Sequence, residues 1–363
     1  MDKKIICSAY FPKTDTHALL QEENNCVYLY MYIRPDRPDA EIRASWVRNY
    51  IEAKDGVDMK AINAGAQPRM PRKACRHPRG AAALKPENLR LVFLEDGDGV
   101  ALKDKDSLLA VIPGWASSGE FTGYARDAVG TSPFAWELGS REENDIYDVV
   151  ERAEEYWKDM IEGDAWAVYR DRHIEAIDKK YGPHSEYLAV DNGAFPPKAI
   201  VICEKEDVTY LFTLGVGILA MPTVEMCTQN PQDMRRTELA MAVSSEVWKE
   251  SRDSLIAYIA GISDIPWNYT TFIGDGHTVL YDVKPYDEHF TNAILLEGGT
   301  HFKDDLYGTF RNDRMNNLWI VPITKLEQAY AEENGNDALM SKAREGIDMR
   351  LFDKEDKFSI KKK

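Results

Sequence analysis

Pairs of apolar, β-rich segments joined by short polar turns are the feature of this 363-residue sequence that most constrains its fold. The segment CVYLYMYI (26–33) combines β-branched and aromatic residues, which favour strands. LRLVFLEDGDGVAL holds two such runs around Asp-Gly steps, and AIVICEKEDVTYLFTLG holds two around a charged turn, so both indicate hairpins. Because strand pairs with inserted helices replace a repeating βαβ order, we expect an α+β fold with mixed, largely antiparallel sheets and packed helices.

Helical periodicity is clearest between residues 140 and 185. Ser140 and Glu143 have the spacing of a capping box, and a broad apolar stripe follows them. Asp164 can cap a second helix, whose aromatic and apolar side chains recur as far as Tyr181. This segment therefore predicts a helical hairpin that joins two sheet-containing halves.

Capping signals predict two further helices. An N-cap at residue 39 would begin a helix over 39–56, in which Ile42 and Trp46 share a face. Near the other end of the chain, the apolar run IVPIT leads directly into a helical pattern. Thr324 and Glu327 have the Thr-x-x-Glu spacing of a capping box, which predicts a strand-to-helix junction at this point.

Composition limits the classes of function. The formal net charge is −16, from 45 basic and 61 acidic residues, which disfavours direct nucleic-acid binding and favours a basic protein partner. The five cysteines are odd in number and form no C-x-x-C pair, as is typical of reduced thiols in a cytoplasmic protein. The longest apolar run, 210–221, is shorter than the ~20 residues that span a bilayer, so we expect no membrane association.

One strongly basic segment, PRMPRKACRHPRG (68–80), interrupts this acidic sequence. It contains no acidic residue, and its three prolines predict an extended, exposed loop. The loop could bind an anion or an acidic partner, or it could fold back against the acidic surface of the protein itself. Its cationic residues are Arg69, Arg72, Lys73, Arg76 and Arg79.

Catalytic and cofactor motifs are not evident. GVGILA (215–220) fits G-x-G-x-x-A, but Pro222 follows too early for a helix that could hold a dinucleotide, so a buried strand is favoured. The sequence also lacks G-x-x-x-x-G-K-[ST], G-x-S-x-G and H-E-x-x-H. We therefore predict neither a cofactor nor a metal.

Histidines and acids nevertheless cluster between residues 275 and 305. If the strands bring them together, they could form a metal site or an acid–base pair. That possibility defines an alternative function, a hydrolase-like or metal-dependent enzyme that uses His277 and His301 with nearby carboxylates. Local hydrogen bonding within their own turns explains the same residues without catalysis. The cluster consists of Asp275, His277, Asp287, His289, His301, Asp304 and Asp305.

Four segments together resemble the suppressor of fused (SUFU) domain family, over residues of about 165–350. They are RTELAMAVSSEVW, GDGHTV, AILLEGG and LWIVPITKLEQAYAEENGNDALM. Farther upstream, WVRNYIEA, PRMPRKACRHPRG, IPGW and GYARD resemble the N-terminal part of longer bacterial members. The expected domains are an N-terminal α+β region (1–139), the helical hairpin (140–185), a suppressor-of-fused-like domain (186–350) and a charged tail (351–363).

The resemblance implies a mixed α/β fold without known catalysis. Bacterial members resemble immunity proteins or antitoxins encoded beside polymorphic toxins, which are often nucleases. Animal relatives sequester a transcription factor by clamping an extended peptide between two domains. A peptide-binding intracellular regulator or scaffold is therefore a further alternative.

Our leading hypothesis is a non-catalytic, cytoplasmic protein-binding module, an immunity protein that neutralises a cognate basic toxin of the nuclease type. Acidic side chains set against a cationic active site would speed association and block the path of the nucleic acid. The residues predicted to contact the partner are Trp267, as an aromatic anchor, together with Asp275, His277, Asp304 and Asp305.

Overall fold

Residues 3–63 and 66–360 are described by the computed structural model, in which contacts divide the chain into unit 1 (Met1–Gly163) and unit 2 (Asp164–Lys363). Both units combine helices with mixed or antiparallel sheets, which confirms the predicted α+β fold class. No helix among the described residues is both long and apolar enough to cross a membrane.

Unit 1 is built on two sheets within its described residues. The first has the order β1-β2-β3-β4, from Lys4–Phe11, Thr16–Glu23, Cys26–Ile33 and Glu41–Asn49. The second has the order β5-β6-β7-β8-β9, from Leu89–Phe93, Val100–Asp104, Ser107–Ile112, Tyr124–Ala125 and Trp136–Glu137. Helices α1 (Met59–Asn63) and α2 (Ile146–Glu162) complete the unit. The strand CVYLYMYI and the hairpin at the Asp-Gly steps are confirmed as β3 and as β5–β6.

The predicted helix over 39–56 is wrong, because this segment forms strand β4 and pairs with β3. A spacing of four residues fits one face of a helix, but it also fits one face of a strand, whose period is two. Ile42 is exposed, whereas Trp46 is fully buried. Tyr28 lies opposite Trp46 and donates a hydrogen bond to the Pro68 carbonyl (2.7 Å), so the segment around Pro68 covers that end of the sheet.

Helix α2 begins later than the capping-box spacing predicts. The backbone N–H of Ser140 donates to the Glu143 carboxylate (2.9 Å), but residues 141–143 form a turn and the helix starts at Ile146. The Asn144 side chain accepts from the backbone N–H of Ile146 (3.1 Å) and so satisfies one of the free donors at the helix start. The apolar stripe of α2 packs on the second sheet, with Val150 and Val111 in one core cluster.

Unit 2 is built around one nine-stranded sheet within its described residues. Its strands are β10 (His184–Ala189), β11 (Ala199–Lys205), β12 (Val208–Leu214), β13 (Arg236–Ser244), β14 (Thr278–Leu280), β15 (Phe290–Glu297), β16 (Thr309–Phe310), β17 (Asp313–Thr324) and β18 (Leu351–Phe352). The main order is β10-β11-β12-β13-β17-β15-β14; β16 pairs with β17, and β18 pairs with β13. Strands β13 and β17 are parallel, whereas β11–β12 is the antiparallel hairpin that the sequence predicts.

The helices of unit 2 are α3 (Ala165–Tyr181), α4 (Val224–Cys227), α5 (Ser245–Ile262), α6 (Ile265–Tyr269), α7 (Gly298–Phe302), α8 (Lys325–Asn334) and α9 (Asn336–Met340). The two helices predicted as a hairpin, α2 and α3, are separated by Gly163 and Asp164 and belong to different units. The finer domain boundaries at 139, 185 and 350 stay a prediction.

The strand-to-helix junction at the start of α8 is confirmed. The Thr324 hydroxyl accepts from the Glu327 backbone N–H (3.3 Å), and the Glu327 carboxylate accepts from the Thr324 N–H (2.7 Å). Glu327 is buried, and it also accepts from the backbone N–H of Phe358 (3.2 Å). This capping box therefore fastens the carboxyl-terminal segment as well as the helix.

That segment, expected to be a charged tail over 351–363, instead packs on unit 2 as far as the structure describes it. Strand β18 lies alongside Ala242 and Val243 of β13. Lys357 and Phe358 are each only 2% exposed. The end of the predicted tail, residues 361–363, lies outside the described residues.

A buried carboxylate joins three elements of unit 2. Glu238, on β13, is completely buried and accepts hydrogen bonds from Thr213 on β12 (2.6 Å) and from the Tyr169 hydroxyl on α3. It also accepts from the backbone N–H groups of Gly215 (2.8 Å) and Gly217 (3.2 Å). GVGILA is therefore a tight turn rather than the predicted strand, and its glycine N–H groups point at an internal carboxylate.

His173 on α3 lies 2% exposed between the rings of Tyr169 (3.9 Å) and Tyr307 (4.6 Å). Its Nδ1 lies 2.7 Å from the Tyr169 carbonyl oxygen, whereas Nε2 has no hydrogen-bond partner among the described residues. Burial lowers the pKa of His173 from 6.5 to about 4. The imidazole is therefore neutral in the folded protein at neutral pH.

Replacing Glu238 tests the role of the buried carboxylate. Glu238→Ala leaves buried donors without an acceptor and should lower the free energy of unfolding by about 3–5 kcal/mol. Glu238→Gln should cost less than half as much, because the neutral amide keeps an acceptor and does not bear the cost of burying a charge, which raises the pKa of Glu238. Urea unfolding of the full chain measures both. Glu204→Ala, at an exposed position on β11, is the matched control; an equal effect of all three substitutions would contradict this role.

The pKa of His173 predicts a pH dependence. Because the folded state resists protonation, stability should fall as the pH drops from 6.5 towards 4, where only the unfolded chain binds the proton. The loss should approach about 3 kcal/mol. His173→Phe keeps the ring stacking and should remove this component from the urea midpoint measured across that range. If the urea midpoints of the variant and of the unchanged protein change with pH in the same way, protonation of His173 is not the cause of the loss of stability.

Candidate functional site

Asp275 and His301 are the two members of the predicted histidine–acid cluster that the fold brings together. The His301 Nε2 lies 2.8 Å from Asp275 Oδ1. Asp275 also accepts from the backbone N–H of Glu297 (2.8 Å), the last residue of β15. Glu297 in turn caps α7 by accepting from the backbone N–H groups of Gly299 (2.9 Å) and Thr300 (2.8 Å). The end of β15 and the start of α7 thus fix the pair.

A pocket of about 230 Å³, here called the acidic pocket, opens beside this pair in unit 2. Its apolar lining comes from Met234, Ile273 and Leu318. Its polar and charged lining comes from Asp233, Thr237, Asp275, Glu297, Thr300, Arg314 and Asn316. The pocket is large enough for one long side chain.

The charges of the acidic pocket do not cancel. Arg314 pairs with Glu297 (2.9 Å), so these two residues contribute no net charge. Asp233 and Asp275 remain as exposed carboxylates at the pocket, and Asp275 also contacts the imidazole described above. The amide of Asn316 donates to the backbone carbonyl of Asp233 (2.9 Å) and holds its segment in place. The pocket therefore favours a cationic group with an apolar stem.

The remaining predicted contact residues do not line the acidic pocket. His277 is half-buried, and its ring packs against Phe272 (5.0 Å). Asp305 is exposed on the segment that follows α7. Trp267 cannot serve as an exposed aromatic anchor, because it is fully buried and its indole N–H donates to the Ala220 carbonyl (3.2 Å).

Asp304 is also misplaced by the sequence-based hypothesis, which assigned it to an exposed acidic surface. Its side chain is only 1% exposed and is hydrogen-bonded to Lys180 and to the Tyr181 hydroxyl, both at the end of α3. Arg350 lies 3.8 Å away on another side. Asp304 is therefore an internal ion-pair partner rather than a group free to meet another protein.

The basic segment 68–80 packs more closely than an extended, exposed loop would. Met70 and Cys75 are buried. Three of its arginines have partners. Arg69 donates a hydrogen bond to the Asn24 carbonyl (3.1 Å), and ion pairs join Arg72 to Glu52 (3.0 Å) and Arg76 to Glu137 (2.7 Å). Lys73 and Arg79 are exposed, without an ion pair to any residue that the structure describes. Binding of an anion or an acidic partner by this segment stays a prediction.

Sequence reasoning found only Asp275 among the charged residues of the acidic pocket and missed the other three, Asp233, Glu297 and Arg314. Glu297 offers the clearest signal, because a glutamate before Gly-Gly-Thr can act as a helix cap. Asp233 precedes β13 and Arg314 lies on β17, so only the parallel pairing of these strands brings them to one end of the sheet. Among the described residues, no group of three or more His, Cys, Asp or Glu side chains is arranged to hold a metal ion.

The fold and the acidic pocket define unit 2 as an α+β domain built on a mixed sheet, with a charged pocket at one end. Residues 196–355 match the family model described as Suppressor of fused protein (SUFU). This match covers less than half of the chain and identifies a suppressor-of-fused-like domain within unit 2. The family resemblance seen in the sequence is thereby confirmed, and it indicates a protein-binding regulator.

Other comparisons add less. Among solved structures, the chain resembles "the Sufu-Fu complex crystal structure" with a TM-score of 0.37 and 9% sequence identity, over 54% of this chain and 91% of that chain. Likeness at this level carries no inference about function. No curated protein matches the sequence.

Substitution of Asp275 tests how the Asp275–His301 pair is held. Asp275→Ala removes the acceptor for the Glu297 N–H and should destabilise unit 2 by about 1–2 kcal/mol. Asp275→Asn keeps an acceptor and can donate to His301, so its effect should be smaller. Hydrogen exchange at the Glu297 amide and urea unfolding measure the two effects. If the Glu297 amide exchanges as slowly in Asp275→Ala as in the unchanged protein, its hydrogen bond to Asp275 contributes little to stability.

Proposed function

We propose that this protein is a non-catalytic binding module whose acidic pocket receives a basic side chain of a protein partner. More specifically, we propose that it is a bacterial, cytoplasmic immunity protein and that the partner is a cognate toxin of the nuclease type. The observation that carries the proposal is the pair of exposed carboxylates, Asp233 and Asp275, at a pocket whose apolar lining suits a lysine or arginine stem.

The geometry of the acidic pocket supports recognition of one cationic side chain. Ile273 and Leu318 provide apolar contact for the methylene groups, while Asp233 and Asp275 provide negative charge. The Arg314–Glu297 pair is already satisfied, so it does not compete for the incoming group. Long basic side chains bind in this manner, with the stem on an apolar surface and the charge at a polar rim.

The charge of the whole chain supports the same class of partner. A formal charge of −16 attracts a basic protein over distances of about 10 Å at ordinary ionic strength. A nuclease presents a cationic surface to its nucleic acid, so an acidic binding protein can associate rapidly and cover that surface. A peptide-binding regulator or scaffold would use the same acidic pocket with a different basic partner.

A second candidate function, acid–base catalysis, is favoured by one observation, the 2.8 Å contact between Asp275 and His301. Such a pair can orient an imidazole as a general base. His277, the other histidine of that hypothesis, is not hydrogen-bonded to the pair among the described residues. A reaction that is lost in His301→Ala while partner binding persists would support this candidate instead.

The test of the proposed function is a binding experiment with the toxin encoded beside the gene of this protein. The double variant Asp233→Asn, Asp275→Asn should associate about 3–10 times more slowly than the unchanged protein at low salt, because it removes two attractive charges. The difference should shrink as the ionic strength rises. Stopped-flow association and survival of cells that express both proteins measure the effect.

A matched control is the double variant Glu204→Gln, Glu206→Gln, at exposed positions near the end of β11 and on the turn after it, which makes the same change in net charge. It should associate nearly as fast as the unchanged protein. Equal slowing by both double variants would show that the net charge of the protein, and not the acidic pocket, sets the association rate. Unchanged association of the Asp233→Asn, Asp275→Asn variant would likewise refute a role for the acidic pocket. No binding and no protection at all would refute the immunity function.

A further inference from the structure

A second cation-binding arrangement in unit 2 is already filled by an arginine of the chain itself. The guanidinium carbon of Arg350 lies 5.2 Å from the ring centre of Trp319 and 5.4 Å from that of Phe302. Carboxylates lie on its other sides, with Asp348 at 2.8 Å and Asp304 at 3.8 Å. Aromatic faces and carboxylates together are the surroundings that a guanidinium group prefers.

Two tyrosines complete these surroundings. Tyr181 and Tyr210 each lie with their ring centres within 6.5 Å of that of Trp319. Burial raises the pKa of Tyr210, while the positive charge of Arg350 acts in the opposite direction, as expected for a hydroxyl close to the guanidinium. We call Tyr181, Tyr210, Phe302, Asp304 and Trp319 the arginine cage.

The cage and its occupant come from different parts of the unit. The cage residues belong to α3, β12, α7, the segment after α7, and β17. Arg350 belongs to the carboxyl-terminal segment, immediately before β18. The sheet and its packed helices therefore build the cage, and a late segment of the chain supplies the arginine.

Arg350 can leave the cage without unfolding this segment. Its side chain is 25% exposed, whereas Asp304 is 1% exposed and Trp319 is fully buried. The backbone beside it is fixed independently, because β18 pairs with β13 and Phe352 is buried. Rotation about the side-chain bonds of Arg350 is sufficient to move the guanidinium into solvent.

We propose that the arginine cage is a binding site for the guanidinium group of an arginine from a protein partner, and that Arg350 is an internal competitor that occupies it in the free protein. The planar guanidinium stacks on aromatic rings and bonds carboxylates in ways that an ammonium group does not. Lysine is therefore a poor ligand for this site. That the arginine comes from a protein partner rests on the proposed function, whereas the preference of the cage for a guanidinium group does not.

The test removes the Arg350 side chain from the cage and measures binding of a small arginine compound in its place. Arg350→Ala, in the full chain, is titrated with Nα-acetyl-arginine amide by calorimetry and by thermal unfolding. We expect saturable binding to this variant and at least about tenfold weaker binding to the unchanged protein, where Arg350 competes at a high effective concentration. Free arginine is a second probe, and weaker binding than the capped compound would indicate a site for a protein side chain.

The controls separate the cage from a general charge effect. Nα-acetyl-citrulline amide and Nα-acetyl-lysine amide should not bind the Arg350→Ala variant measurably. Arg344→Ala removes another arginine of the same segment, one that pairs with Glu355 at 4.0 Å, and should not create a site. Phe302→Leu, added to Arg350→Ala, should weaken binding of the arginine probe by replacing one aromatic wall.

Two results would overturn the proposal. One is a folded Arg350→Ala protein, verified by circular dichroism, that binds the arginine probe no better than citrulline. The other is equal binding of the probe by the unchanged protein and by the variant. Neither result depends on a toxin, so a failure of the cage is distinguishable from a failure of the proposed immunity function.

Discussion

The fold of unit 2 depends on one buried carboxylate. Glu238 sits in the middle of the sheet and connects β12, β13, α3 and the turn at residues 215–218 through four hydrogen bonds. A buried carboxylate is costly unless its oxygen atoms are bonded, so each donor has to be in place before the sheet can close over it. Gly215 shows the tightness of this arrangement, because an added Cβ there would lie 2.1 Å from the Pro197 carbonyl oxygen.

Helix α7 links the acidic pocket and the arginine cage of this unit. It is only five residues long, yet His301 contacts Asp275 and Phe302 contacts the Arg350 guanidinium. Gly298 begins the helix at a point where an added Cβ would lie 2.6 Å from the Asp304 carbonyl oxygen. The same close approach thus positions residues of both the acidic pocket and the arginine cage.

Local signals predicted many elements, because their physical causes lie within a few residues. The capping box at Thr324 and Glu327 and the hairpin at the Asp-Gly steps formed where the sequence placed them. The helix expected over 39–56 failed because a four-residue spacing fits a strand as well as a helix. The prediction that Trp267 is an exposed aromatic anchor was wrong, because exposure depends on which elements pack over a residue, and its neighbours in sequence do not specify this.

The sequence by itself determined the α+β class, most strands, the acidic character and the resemblance to the suppressor of fused family. These properties follow from composition, periodicity and ordered motifs, which a linear chain displays directly. Only the tertiary structure decided that Asp233 and Asp275 line one pocket, that Asp304 is internal and that Arg350 fills an aromatic cage. The physical reason is that strands β13, β15 and β17 pair across long separations in sequence, so side chains that share a pocket share no local pattern.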